Sequence, residues 1–348
     1  MARRRLEEAL QASRLKAAEE EEAEKGRDVS PRRVSLAHDP HGIFSLGFGP
    51  AGRQLAAGFG DGALQLVDTE TGLPESSSSL KTGPLAGPVT AVCFLGGRPG
   101  LLLAAGAEGS VAAFLPPDRS PVASLAEEGN ETHALDVCRD GSAFATAGKD
   151  RHLRLYDTRT LQLFRIIKAP DFMAGDDFTP LSGHSRRVFA LRFHPEELHL
   201  FLTGGWDNSV KVWDKRVAKG AQSVINGPHI CGPGIDIKGD LVLTASWVPR
   251  NALQLWDLRT TCLCQDLPFP GSLTQGEFLY GARFCARDMV VAGGSGTGGA
   301  SVIHTSTGKV AGEILLPSKP VHVVASAPGG TTLAVAGAGG NLHLAQLH

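Results

Sequence analysis

The segment Ser182–Arg216, SGHSRRVFALRFHPEELHLFLTGGWDNSVKVWDKR, limits what this chain can become more than any other stretch. It opens on Gly183-His184, passes through Leu202-Thr203-Gly204-Gly205-Trp206-Asp207 and closes on Trp213-Asp214. Short apolar runs divided by turn residues read as strands. Strands of this length cannot enclose a core alone. They need an arrangement that stacks many similar units side by side.

Echoes of the segment recur along most of the chain. One ends at Val67-Asp68, the next at Phe114, then Tyr156-Asp157, Trp256-Asp257, near His304 and near Ala345. The spacing stays close to a period of roughly 40–45 residues, and the widest gap is the 57 residues from Asp157 to Asp214. A content of 43 glycines suits a chain with many tight turns.

The segment and its echoes resemble the WD repeat, one blade of a β-propeller, over residues 34–348. The motif is specific in repeats three to five and weak elsewhere. The resemblance implies an all-β, seven-bladed, WD40-like propeller. It also implies a buried polar tetrad in repeat four, in which His184, Thr203, Asp207 and Trp213 form a linked network. Repeat three keeps Thr146 and Asp150, has Tyr156 in place of Trp, and offers no matching His. Repeat five keeps Thr244 and Trp256 but carries Arg250 near the Asp position. The chain stops just past a strand c, so the alternating run Arg33–Ala37 is expected to supply the last outer strand and remove an exposed edge.

Residues 1–32 differ in composition. Arg3–Arg5, Arg14 and Lys16 are mixed with Glu7, Glu8, Glu19–Glu22 and Glu24, all strong helix formers beside Ala and Leu. A charged helical extension over residues 3–25, ahead of a propeller at 33–348, is therefore expected. It would be a solvated helix or a second docking element that orders on a partner. Glu7 and Glu8 interrupt any signal-peptide core, and no run approaches the ~20 apolar residues of a membrane span. The expectation is an intracellular, most simply cytoplasmic, protein with no membrane partner. On that reading the sequon Asn130-Glu131-Thr132 is a chance match. A net charge of −2 argues against nucleic-acid binding by bulk electrostatics. The six cysteines show no zinc spacing and read as reduced, mostly buried thiols.

No catalytic motif emerges, and neither a cofactor nor a metal is expected. The glycine-rich run Gly294–Ser301 has Ala300 where a phosphate loop needs Lys, so a turn explains it better. His38 and His41 lack a third ligand. The expected function is a non-catalytic scaffold for protein partners within a multi-subunit complex.

Two surfaces compete as the docking site. Trp206 and Trp247 hold equivalent positions at the b–c turns of neighbouring repeats, with Lys149 the equivalent in repeat three. Either each ring folds over its own blade, or both are offered to a partner, since Trp is enriched at binding hot spots. The long connection 169–180 enters the same face with Phe172, Asp176, Asp177 and Phe178, flanked by Arg186, Arg187 and Arg250. On the opposite face, Trp213-Asp-Lys-Arg216 and Trp256-Asp-Leu-Arg259 match Trp-Asp-x-Arg. That is similar to the motif of propellers acting as substrate receptors of cullin–RING ubiquitin ligases, though Asp-x-Arg is also ordinary turn chemistry. A structural subunit of a cytoskeletal or ciliary assembly is the third alternative.

Overall fold

The computed structural model describes residues 29–34, 36, 42–75, 87–95, 100–116, 120–171, 175, 179–217, 220–270, 276–296, 298–316, 320–339 and 341–348. Strands β1 (Val29–Val34), β2 (Ile43–Phe48), β3 (Gln54–Phe59) and β4 (Leu64–Asp68) come first. β5 (Val89–Phe94), β6 (Leu102–Gly106), β7 (Ser110–Phe114) and β8 (Pro121–Ala126) form one antiparallel sheet. The same meander repeats in β9 (Thr132–Val137), β10 (Ala143–Gly148), β11 (Leu153–Asp157) and β12 (Leu163–Ile167). It repeats again in β13 (Val188–Phe193), β14 (Leu200–Gly205), β15 (Ser209–Asp214) and β16 (Ser223–Asn226). β17 (Ile235–Lys238), β18 (Leu241–Ala245), β19 (Leu253–Asp257) and β20 (Leu263–Asp266) follow. β21 (Leu279–Phe284), β22 (Met289–Gly294), β23 (Gly299–His304) and β24 (Val310–Leu315) make the next sheet. β25 (Val321–Ser326), β26 (Thr332–Gly337) and β27 (Leu342–Leu347) then pair with β1 to complete the last. β2, β3 and β4 are the three strands described for the first blade.

The innermost strands β2, β5, β9, β13, β17, β21 and β25 neighbour one another in a closed ring. The molecule is thus a seven-bladed β-propeller around a central channel. Burial explains why the second strand of each blade reads as an uninterrupted apolar and small run. β6, β10 and β22 are buried along their whole length between two neighbouring blades. Outer strands such as β8 and β12 are largely exposed and carry polar residues between apolar ones.

Two expectations need correction. The fold class was expected to include an N-terminal helical extension. The described residues contain no helix, and residues 1–28, where that helix was placed, lie outside them. Among the described residues the architecture is the propeller alone, and the helical extension has no support there. The closing strand is also displaced: it is Val29–Val34, not Arg33–Ala37, with Val29 opposite Leu347 and Val34 opposite Leu342. Only Val29 and Val34 of this strand are buried, so its inward face lacks the two-residue alternation that marks other strands. Pro31 is tolerated because an outermost strand need not donate from every N–H. Arg32 reaches from this strand to the first blade, donating to the carbonyls of Thr69 and Glu70 at 3.0 Å each. The seam between last and first blades is thereby tied at backbone and side-chain level.

Candidate functional site at the channel mouth

A local irregularity decides which side chains see the channel. In six blades the inner strand skips one residue in its pairing with the second strand, at Phe44, Thr90, His133, Phe189, Tyr280 and His322. Such a bulge re-aims side chains and breaks the two-residue alternation. Each of these six blades therefore shows the channel two residues three positions apart, such as Phe189 and Arg192 of β13. Two tiers of side chains result, lining a cavity of about 460 Å³.

The bulge also explains an intolerant glycine. A Cβ on Gly148 would lie 1.9 Å from the Glu131 carbonyl oxygen, and one on Gly205 would lie 2.1 Å from that of Arg187. The same two carbonyls accept the next N–H along, Lys149 N at 3.0 Å and Trp206 N at 3.1 Å. Lys149 and Trp206 are thus fixed at the end of the channel where the inner strands begin, here called the upper face.

The upper tier is an aromatic collar. Phe44 packs on His322 at 5.0 Å between ring centroids, and Tyr280 meets His322 edge-on at 6.5 Å. His133 stacks flat on Phe189 at 4.6 Å, and Phe189 meets Trp206 at 5.0 Å. Burial holds His133 down at about 4, against the pull of Glu131, so the ring is neutral at pH 7. The Arg187 guanidinium lies over the Trp206 ring at 5.7 Å and bonds Glu131 at 2.7 Å, while Glu131 also holds Lys149 at 2.5 Å. Trp206 remains 39% exposed.

Trp247 is 40% exposed and packs on Phe278, which leads into the next blade, at 4.9 Å. The Trp247 backbone N–H donates to the His229 carbonyl at 2.8 Å. Each indole is therefore partly packed, Trp206 against Phe189 and the Arg187 guanidinium and Trp247 against Phe278, and leaves part of its surface to solvent. Arg186 and Arg250 are exposed on the adjoining turns. Phe172, Asp176, Asp177 and Phe178 lie outside the described residues.

The polar network of the fourth blade, β13–β16, is complete. Trp213 Nε1 donates to Thr203 Oγ1 at 2.7 Å, Thr203 Oγ1 lies 2.6 Å from His184 Nε2, and His184 Nδ1 lies 2.8 Å from Asp207 Oδ2. A carboxylate only accepts, so His184 Nδ1 carries a proton directed at Asp207. The third blade, β9–β12, contains a residue that sequence reasoning missed. Glu127 stands where the fourth blade has His184. Its carboxyl accepts from Thr146 and Tyr156 on one oxygen, and from Asn130 at 2.7 Å and Thr132 at 3.1 Å on the other. The side chain is 1% exposed. In the fifth blade, β17–β20, the relay stops at Trp256 Nε1 donating to Thr244 at 3.0 Å.

The lower tier was also missed. Its members, one per blade, are Gly47, Cys93, Asp136, Arg192, Asp236, Arg283 and Ala325. Arg192 Nε donates to Asp236 at 3.1 Å and its NH1 lies 3.8 Å from Asp136. Each acid also accepts a backbone N–H from the following blade, Phe193 to Asp136 and Phe284 to Asp236, both at 2.8 Å. These bonds lock the inner strands in register around the channel.

On the lower face the two Trp-Asp-x-Arg arginines differ. Asp214 grips Arg216 through paired bonds at 3.0 and 2.6 Å. Asp257 is engaged by Thr260 instead, so Arg259 extends into solvent, its side chain 77% exposed and 3.9 Å from Asp240. Two cysteines depart from the buried reading: Cys262 and Cys264 are exposed. Among the described residues no cluster of three metal-ligating side chains occurs, and no helix is long and apolar enough to cross a membrane.

The family model described as WD domain, G-beta repeat matches residues 176–214. Coronin-7 of Homo sapiens is 28% identical over 116 residues, which is 32% of this chain and 12% of coronin-7. Polycomb group protein FIE1 of Oryza sativa subsp. japonica is 26% identical over 129 residues, 37% of this chain and 25% of that protein. THO complex subunit 6 of Homo sapiens is 26% identical over 246 residues, 63% of this chain and 65% of that protein. The match thus spans about an eighth of coronin-7 and a quarter of FIE1.

Proposed function

We propose that this chain, a WD-repeat β-propeller, is a non-catalytic scaffold whose upper face docks a protein partner within a multi-subunit assembly. Propellers of this family suggest interaction platforms and are generally non-enzymatic. The observation that carries the reading is the pair of half-exposed indoles, Trp206 and Trp247, on adjacent blades beside an aromatic collar. A half-packed aromatic is already ordered, so a partner ring or aliphatic side chain gains contact area at little cost in rotamer freedom. The neighbouring Arg187, Lys149 and Glu131 would set orientation and on-rate rather than the bulk of the affinity. A relative named as a subunit of the THO complex is consistent with service in an assembly. Affinity capture from cells with wild-type bait, then with Trp206→Ala and Trp247→Ala, tests it. Each substitution should weaken the main partner by roughly 2 kcal/mol or more while leaving Tm unchanged. Undiminished capture by both variants would remove the upper face from the reading.

A second reading, a substrate receptor of a cullin–RING ligase, draws on the lower face. The observation in its favour is the extended Arg259, which its own turn's Asp257 does not grip and which meets Asp240 only at 3.9 Å. Arg259→Ala should then abolish capture of the ligase adaptor, whereas Arg216→Ala, whose guanidinium is already held by Asp214, should matter less. Absence of the adaptor from the wild-type capture ends this reading.

A further inference from the structure

Signs alternate around the lower tier over four consecutive blades: Asp136, Arg192, Asp236, Arg283. Three of the four have a partner of opposite charge within 4 Å, because Arg192 stands between the two acids. Arg283, at the end of the run, does not. Its NH1 donates to the carbonyls of Pro233, Ile235 and Ala282 at 2.9–3.0 Å, and among the described residues no carboxylate forms an ion pair with it. The next blade would continue the alternation with an acid but has Ala325, followed round the ring by Gly47 and Cys93. All three small residues line the same cavity of about 460 Å³ as Arg283. Ser326, beside Ala325, lines it too. Its hydroxyl is buried against the Cys285 thiol and meets no nitrogen or oxygen partner among the described residues.

We propose that the gap between Arg283 and Ala325 is a binding site for a compact carboxylate, with the guanidinium as the charged donor and Ser326 as a hydroxyl donor. Arg283 is half-buried with no counter-charge in ion-pair reach among the described residues, and an oxyanion in bidentate reach of a guanidinium relieves the cost of that partial desolvation. Burial, and then the neighbouring charge of Arg192, already disfavour the charged form of Arg283, which an incoming anion would reverse. The cavity falls within the usual size of a small-ligand site. The carboxylate could belong to a free small molecule or to an acidic side chain entering the channel, and the site stands whether or not the collar docks a partner.

Thermal denaturation at constant ionic strength tests this, with sodium acetate as the free carboxylate and a capped Gly-Glu-Gly tripeptide as the side-chain form, each against sodium chloride. At least one probe should raise Tm saturably, by about 2 °C at ten times its half-saturating concentration. A response to acetate alone points to a free ligand, and a tighter response to the tripeptide points to a side chain. Arg283→Met should abolish the response. Ala325→Asp should also abolish it, because the new carboxylate fills the gap, and should not lower Tm in chloride. If one variant fails to fold, the other decides. Trp206→Ala should leave the response intact, so failure here is distinguishable from failure of the docking reading. No saturable response from either probe, or a response that persists in the variants, overturns the proposal.

Discussion

Blades three and four bury a polar network at the same place with opposite chemistry. In blade four an imidazole stands in the middle of a line: Trp213 to Thr203 to His184 to Asp207. The charge sits at the end of that line, on a carboxylate 6% exposed. In blade three the carboxylate moves to the centre. Glu127 gathers four donors, from Thr146, Tyr156, Asn130 and Thr132, and Arg154 stands 3.6 Å away. Tyr156 replaces Trp because a phenol O–H can point at a central acceptor. The lesson is that the fold demands a satisfied polar bridge between the entering turn and the second and third strands, not a particular residue set.

The largest break in this comparison should come from Glu127→Ala. It strands four buried donors and leaves Arg154 with Asp150 as its acidic partner, so the expected loss is about 3–5 kcal/mol. Denaturant unfolding with an unchanged m-value would read it; a loss below about 1 kcal/mol would mean the Glu127 network is a coincidence of packing. A smaller effect is expected in blade four. His184→Ala and Asp207→Ala should each cost about 1–3 kcal/mol, and the double variant less than the sum, because either change already breaks the line. Strict additivity would show that the four residues are not a unit.

The same contrast explains what was legible in the sequence. Repeat four is readable because each member of its line is a rare or marked type: His after Gly, Thr before Gly-Gly, Asp after Trp, and Trp before Asp. Glu127 is not readable, because Ala126-Glu127-Glu128-Gly129 looks like any solvated turn until its donors converge on it. Strand ends marked by Phe114 and His304 match the ends of β7 and β23, since an apolar run closed by a turn needs no Trp-Asp to be recognised. The channel tiers were hidden for another reason. Strict alternation puts Phe189 and Arg192 on opposite faces of a strand, and only the skipped pairing between Val188 and Ala190 brings both to the channel. Bulges leave little trace in composition. The glycine that ends the second strand is the clue that was available, because its missing Cβ admits a backbone carbonyl at the start of the bulged inner strand. The closing strand was misplaced because Pro31 and two arginines mask its pairing, which rests on backbone bonds and two valines. Helix propensity alone suggested a helix for the charged N-terminus, and propensity without an apolar face to bury is weak ground.

The smallest effects, and the sharpest test, lie in the pH dependence of the two networks. In blade four, burial works against the Asp207 carboxylate, but its hydrogen bond from His184, with Ser185 N–H and Ser209, holds it below the ordinary Asp range. A carboxyl lowered in the folded state contributes stability that is present above its unfolded value near 4 and lost as pH falls below it. In blade three, burial and then the charge of Glu127 push the Tyr156 phenol above its ordinary value. A group raised in the folded state contributes stability that is present below its unfolded value near 10 and lost as pH rises past it. One network is therefore vulnerable to acid and its neighbour to alkali. Asp207→Asn should flatten the slope of stability against pH below about 4 and leave the alkaline limb unchanged. Tyr156→Phe should flatten the limb above about pH 10 and leave the acid limb unchanged. Urea midpoints across both ranges would separate them. If the two substitutions moved the same limb, or neither moved its own, the view of blades three and four as opposite solutions to one problem would fail.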